Sequence, residues 1–413
     1  MFNVWLMMGV LAIPMRNALG LSATETAWIT STAILSGALL RLNFGIWADR
    51  YGGRNVFIAL LLLSAVPSYL FSLATTYHEL ILCALFYGLA GNAFSAGVAW
   101  CSAWFPPQSK GTALGVFGAG NVGASGTKLL VILAPGVLTA VPAAGYFGGW
   151  VPGGWRFIPA LYSALLVGMA CLVWWLAPAP DRLPGKGRTL LELLRPLRYI
   201  RVWRFSLYYV VVFGAYVALS GWLPTFYVDT YHLSLHDAAL LTSLFIFPAS
   251  LLRPVGGYLS DRCGPRVVTY AVFIGMAVGL AVLSLPNGTY FGWDHQLGPW
   301  ACASLIFFVG CCMGIGKASV YKYIPNYYPA DVGAVGGLVG MMGGLGGFVL
   351  PPLFVYLGLW TAVPQAAFTA LLALTLGSLA WLHLAVVRMR SAERTKTAES
   401  AITAAQLGPT GLS

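Results

Sequence analysis

Apolar stretches long enough to cross a bilayer recur from one end of the chain to the other, and they decide the fold class before any motif is read. In hydrocarbon the backbone must satisfy its own polar groups, so such a chain folds as a helical bundle or a closed barrel. Barrel strands alternate apolar and polar residues, whereas these runs are continuously apolar. Charged residues make up 8% of the 413 positions, against about 25% in a soluble protein. The expectation is an all-α polytopic membrane protein with about twelve spans, near 2–15, 27–47, 56–74, 80–105, 113–141, 157–177, 205–227, 238–258, 267–284, 300–325, 332–356 and 366–387. The first is short, about 21 Å at 1.5 Å per residue against a core of about 30 Å. With no basic flank of a signal peptide, it reads as a helix entered part-way along.

Basic residues set the orientation. Arg50, Arg54, Lys110, Arg182, Lys186, Arg188, Arg195, Arg198, Arg201, Arg204, Arg262, Arg266, Arg388, Arg390, Arg394 and Lys396 fall in connections on one side, and Arg16 and Arg156 on the other. The positive-inside rule places the first set, and both termini, in the cytoplasm, with the chain in the cell's inner membrane. The expected organisation is a six-helix half over 1–177, a basic linker over 178–204, a second half over 205–387 and a tail over 388–413. The stretch "AESAITAAQLGPTGLS" at the end has the composition of a disordered segment. The formal charge of +11 forms no single stripe, so the bilayer, and not nucleic acid, is the expected partner. Seven cysteines without C-x-x-C or ligand spacing read as packing residues; no metal or cofactor is expected, and the chain is expected to be a monomer.

A repeat sharpens the fold. Residues 39–54, "LLRLNFGIWADRYGGR", and 251–266, "LLRPVGGYLSDRCGPR", share Leu39/Leu251, Leu40/Leu252, Arg41/Arg253, Gly45/Gly257, Asp49/Asp261, Arg50/Arg262, Gly52/Gly264 and Arg54/Arg266. Both fit G-x-x-x-D-R-x-G-x-R after the second and eighth spans. Glycine lets helices approach, and the Asp and Arg residues are suited to a charge lock that closes the cytoplasmic side. Gly45, Asp49, Arg50, Arg54, Gly257, Asp261, Arg262 and Arg266 are therefore the expected gating residues.

Arg41 and Arg253 each stand eight residues before the motif Asp, roughly 12 Å inside the membrane, and so near the midplane of a core about 30 Å thick. Lys128, Lys317 and Lys322 also fall at membrane depth, whereas the 12 acidic residues fall in loops, linkers, tails or span ends. An uncompensated cation at a helix centre costs about 2.5–3.5 kcal/mol, so an anionic cargo is expected to complete the site. Lys128 lies near the outer boundary and Lys322 near the inner one, where each can snorkel; Lys317 is too deep to do so easily. Glycine runs recur at "GTALGVFGAGNVGAS" (111–125) and "GAVGGLVGMMGGLGG" (333–347), the first carrying the single amide Asn121.

The repeated loops resemble the signature of the major facilitator superfamily, which implies two pseudo-symmetric six-helix halves. The glycine runs in the fifth and eleventh spans, together with Arg41 and Arg253, resemble the nitrate/nitrite porter (NarK-type) family within it. "YYVVVFGAY" (208–216) is similar to that family's seventh span and "GLAGNAFSAG" (88–97) to its fourth. The resemblance implies a nitrate or nitrite site made of Arg41, Arg253, Asn121, Tyr209, Phe94, Phe213 and Lys317, served by alternating access. "GIGKASVYKYIP" (314–325) carries Lys317 where many members have Asn, which resembles the subgroup assigned proton-coupled uptake for nitrate assimilation. Nitrate/proton symport is the expectation; nitrate/nitrite exchange, another small anion, or an anion sensor are the alternatives. An enzyme is not expected, since H-E-x-x-H, G-x-S-x-G and paired carboxylates are missing.

Overall fold

A computed structural model describes residues 1–133, 141–142, 144–290 and 293–406. Among the described residues, ten helices are long and apolar enough to cross a membrane: α2 (Trp28–Tyr51), α3 (Gly53–Leu73), α4 (Tyr77–Trp104), α6 (Gly154–Leu176), α7 (Ile200–Tyr231), α8 (His236–Cys263), α9 (Pro265–Ser284), α10 (Pro299–Tyr327), α11 (Val332–Gly358) and α12 (Ala366–Ser391). Two broken helices complete the bundle. α1 comprises Phe2–Trp5 and Met8–Leu19, and α5 comprises Lys110–Ala119, a 3₁₀ turn Gly120–Val122 and Gly123–Leu133.

The bundle is apolar outside as well as within. Leu62, Leu63, Val66, Leu165, Leu172, Trp175, Val267, Ile274, Val278, Leu376 and Leu384 are all exposed, as lipid-facing positions should be. Between the halves α2 packs on α11 and α5 on α8. Helix starts follow local chemistry: Ser22 and Thr76 form capping boxes with Glu25 and Glu79. The repeated motif ends α2 and α8 at Gly52 (φ 95°) and Gly264 (φ 82°), a conformation in which a Cβ is strained.

Several expected boundaries move. The basic connection over 178–204 holds a helix Leu190–Leu194 and a 3₁₀ turn Arg195–Arg198, and α7 starts within it at Ile200. The segment expected to be disordered is helical through Gln406, because α12 runs on as one helix Ala366–Gln406; residues 407–413 lie outside the described residues. A small hairpin pairs Gly288–Tyr290 with Trp293–His295 between α9 and α10.

Candidate functional site

Both deep arginines follow a break in their helix. Leu40 (φ −90°, ψ 4°) interrupts α2 and Leu252 (φ −80°, ψ 2°) interrupts α8, and Arg41 and Arg253 are the next residues. After the second break Pro254 sits in a first helical turn, where its missing N–H is harmless. Other irregular turns gather around these breaks: Gly88–Asn92 in α4, Gly120–Val122 in α5 and a π-turn Val210–Gly214 in α7. Such turns concentrate at functional sites.

The arginines are 0% and 1% exposed. Arg41 donates from Nε to Gly37 O and from Nη1 to Gly340 O, each 2.9 Å. Its guanidinium carbon lies 4.8 Å from the Trp5 ring and 5.1 Å from the Phe213 ring. That of Arg253 lies 4.8 Å from the Phe94 ring. Each cation thus stacks on an aromatic of the opposite half. Phe94 and Phe213 are nearly parallel (13°) with centroids 6.3 Å apart. Tyr209, four residues before Phe213 on α7, stacks on it at 4.9 Å and interacts electrostatically with both guanidinium groups.

The glycine runs serve these side chains. A Cβ on Gly118 of α5 would strike the Arg253 guanidinium, and one on Gly340 of α11 would meet Tyr321 Oη at 2.7 Å and Arg41 Cδ at 3.4 Å. Each run therefore makes space for the arginine of the helix it packs against.

Among the described residues, neither arginine pairs with a carboxylate; the ion pairs are Arg188–Asp331 at 2.6 Å and Lys322–Asp261 at 2.5 Å. Buried donors with no partner collect here: Arg41 Nη2, Arg253 Nε and Nη1, Ser95 Oγ and Asn121 Nδ2. Buried donors are ordinarily satisfied. This set calls for a small acceptor with negative charge. Lys317, also 0% exposed, donates to Ala249 O at 2.9 Å and stands 3.0 Å from the Tyr216 ring centroid. Its amine interacts electrostatically with the Arg253 guanidinium. A cavity of about 360 Å³ reaches Phe94 and Asn121 from the α1 side, but neither arginine lines it.

The motif loops lie on the basic face, which is closed, but not by the Asp–Arg lock expected from the repeat. Asp49 accepts from Gly333 N (2.8 Å) at the start of α11. Asp261 accepts from Gly111 N (3.1 Å), Thr112 N (2.8 Å) and Thr112 Oγ1 (2.8 Å) at the start of α5. A carboxylate at a helix N-terminus satisfies free amides and the helix dipole together. Beneath them, Gly45 meets the Gly333 backbone and Gly257 the Gly111 backbone so closely that a Cβ would not fit. Arg50 and Arg262 instead lie over Tyr51 and Tyr258, Arg54 donates to Trp174 O, and Arg266 contacts Met389 Sδ.

Two lysines also depart from expectation. Lys322 reaches the basic face but ends on protein groups there, bridging Asp261 to Pro107 O (2.7 Å). Lys128 does not snorkel, being 5% exposed and bound to Ser220 O at 2.9 Å. Residues missed at the sequence level include Tyr321, whose ring meets Tyr209 (4.6 Å) and Phe94 (5.1 Å). It stands one turn after Lys317, a spacing that could have exposed it.

A family model described as Major Facilitator Superfamily matches residues 1–293 and 226–410. The chain is 56% identical over 402 residues to a probable nitrate/nitrite antiporter, NarK1, of Thermus thermophilus, covering 95% of this chain and 90% of the relative. It is 31% identical over 398 residues to a nitrite extrusion protein of Bacillus subtilis, covering 96% and 93%. A crystal structure of the E. coli fucose:proton symporter FucP superposes with TM-score 0.69 at 16% identity, covering 93% of this chain and 96% of that one; that likeness concerns the fold alone.

Proposed function

The chain belongs to the nitrate/nitrite porter family of the Major Facilitator Superfamily, a multi-pass membrane transporter, and on that premise we propose that it exchanges nitrate and nitrite across the inner membrane by alternating access. In this reading the basic face and both termini are cytoplasmic, the two halves span 1–177 and 205–387, and one chain encloses one site as a monomer.

The observation that carries the reading is the pair of buried guanidinium groups with unsatisfied donors and no carboxylate partner. Nitrate is planar and singly charged, and a guanidinium fork matches it with charge-assisted hydrogen bonds that an ammonium cannot reproduce. Phe94 and Phe213 are the flat faces that disfavour bulkier tetrahedral anions, Tyr209 and Asn121 add donors, and Lys317 adds field.

Exchange, in place of the symport expected from the sequence, follows from the same feature. Without an anion, the halves would have to rock with unneutralised charge in a low dielectric. An anion is then required in both directions, and the 56% identical relative is named an antiporter. Symport is the second reading, and Lys317 carries it, an amine beside the site that could exchange a proton.

The test is nitrate uptake into proteoliposomes with and without internal nitrite, and with and without a pH gradient. Exchange predicts uptake that needs internal anion and ignores the gradient. Uptake into anion-free vesicles driven by external acid would establish symport. Competition by chlorate and nitrite but not lactate is expected for a nitrate site, and binding without flux would indicate a sensor.

A further inference from the structure

α5 carries a second set of polar groups beyond the arginine pair, toward the face opposite the basic one. Outward from Gly118, which abuts Arg253, come Asn121, Ser125 and Lys128, which are 1%, 0% and 5% exposed. Ser125 and Lys128 are three apart on one helix and so share a face, and Lys128 lies roughly 10 Å beyond Asn121 by helix rise. Asn121 Nδ2 and Ser125 Oγ have no hydrogen-bond partner. Gly9 of α1 leaves room beside the lysine, since a Cβ there would sit 3.6 Å from Lys128 Cε.

The Lys128 bond has a clear origin. Its acceptor, Ser220 O, would ordinarily bond to the amide four residues on, but that residue is Pro224, inside α7, which has no N–H. Lys128 takes the freed carbonyl. The bond runs from α5 in one half to α7 in the other, so it breaks whenever the halves part on that face. Once free, the ammonium has no ion-pair partner among the described residues and shares a helix face with the unpartnered Ser125 hydroxyl, an arrangement that suits an anion.

We propose that Lys128 and Ser125 form a second anion-binding station between the arginine pair and the face opposite the basic one, and that the Lys128–Ser220 bond is the latch an arriving anion takes over as that face opens. The proposal rests on the reading that the arginine pair takes a small anion. It makes Lys128 a residue of capture, acting on entrance from one side.

The experiment uses the full chain in proteoliposomes of sorted orientation, with nitrate presented to the opposite face. Lys128→Gln should raise apparent KM about tenfold, the loss of one charge-assisted hydrogen bond, with the maximal rate within about threefold of wild type. Lys128→Arg keeps the charge and should stay within about threefold in both. Ser125→Ala, which changes no charge, should raise KM about threefold and reads the station independently if Lys128→Gln is poorly inserted. Unchanged KM in Lys128→Gln, or in Ser125→Ala where that is the readable variant, overturns the proposal. So does an equal fall in maximal rate for Gln and Arg at 128 with KM unmoved, which is a packing defect. Wild-type vesicles without nitrate flux would overturn the transport reading itself, whatever the variants do.

Discussion

Arg253 lies over Phe94 with its guanidinium carbon 4.8 Å from the ring centroid, and the two residues belong to opposite halves of the bundle. Arg41 and Phe213 repeat the arrangement in mirror sense at 5.1 Å. A desolvated cation–π contact is worth about 2 kcal/mol. These contacts therefore hold the two halves together, and on the proposed reading they couple occupancy of the site to its opening.

Removing one ring tests that coupling. Phe94→Leu keeps the site apolar but takes away the face under Arg253, and should raise KM for nitrate about tenfold. It should also weaken discrimination against tetrahedral anions, measured by competition with phosphate in the flux assay.

The glycines predict two different failures. Gly118→Ala meets the end of the Arg253 side chain and not backbone, so the arginine is pushed out of place, nitrate binding weakens and the protein still inserts. Gly337→Ala meets the backbone of α2, at Leu42 Cα (2.7 Å) and Arg41 O (2.9 Å), which cannot move aside. There the halves should fail to close on the basic face, read as increased labelling of a reporter cysteine in the α2–α11 seam.

Much of this site was legible in the residues. Arg41 and Arg253 were marked by their equal offset to Asp49 and Asp261, and Tyr209, Phe213 and Phe94 by the resemblance to the porter family. What no single helix could disclose were contacts between helices: Trp5 beneath Arg41 within one half, and Gly118 against Arg253 and Lys128 on Ser220 across the two. The breaks at Leu40 and Leu252 carry no local signal, since leucine is an ordinary helix residue. The carboxylates misled for a related reason. Asp49 and Asp261 stand beside arginines in sequence, yet helix direction points them at the starts of α11 and α5.

That capping role sets the expected effect at the basic face. Asp261→Ala removes the acceptor for two amides and one hydroxyl and strands the Lys322 ammonium. Asp49→Ala removes one amide contact. Asp261→Ala should slow turnover several-fold more than Asp49→Ala, with equilibrium nitrate affinity changed less than turnover in both. Arg50→Ala and Arg262→Ala, whose side chains lie over exposed tyrosines, should have the smallest effects of the four, measured as initial exchange rates at saturating nitrate.

The central claim is that two fixed guanidinium groups are the seat of the anion, and equilibrium nitrate binding to purified protein tests it most directly. Wild type should bind nitrate saturably, with nitrite competing. Arg41→Lys and Arg253→Lys, still inserted and monodisperse, should each bind at least about tenfold more weakly, because a lysine keeps the charge but loses the fork. Nitrate affinity equal to wild type in both lysine variants would contradict the account.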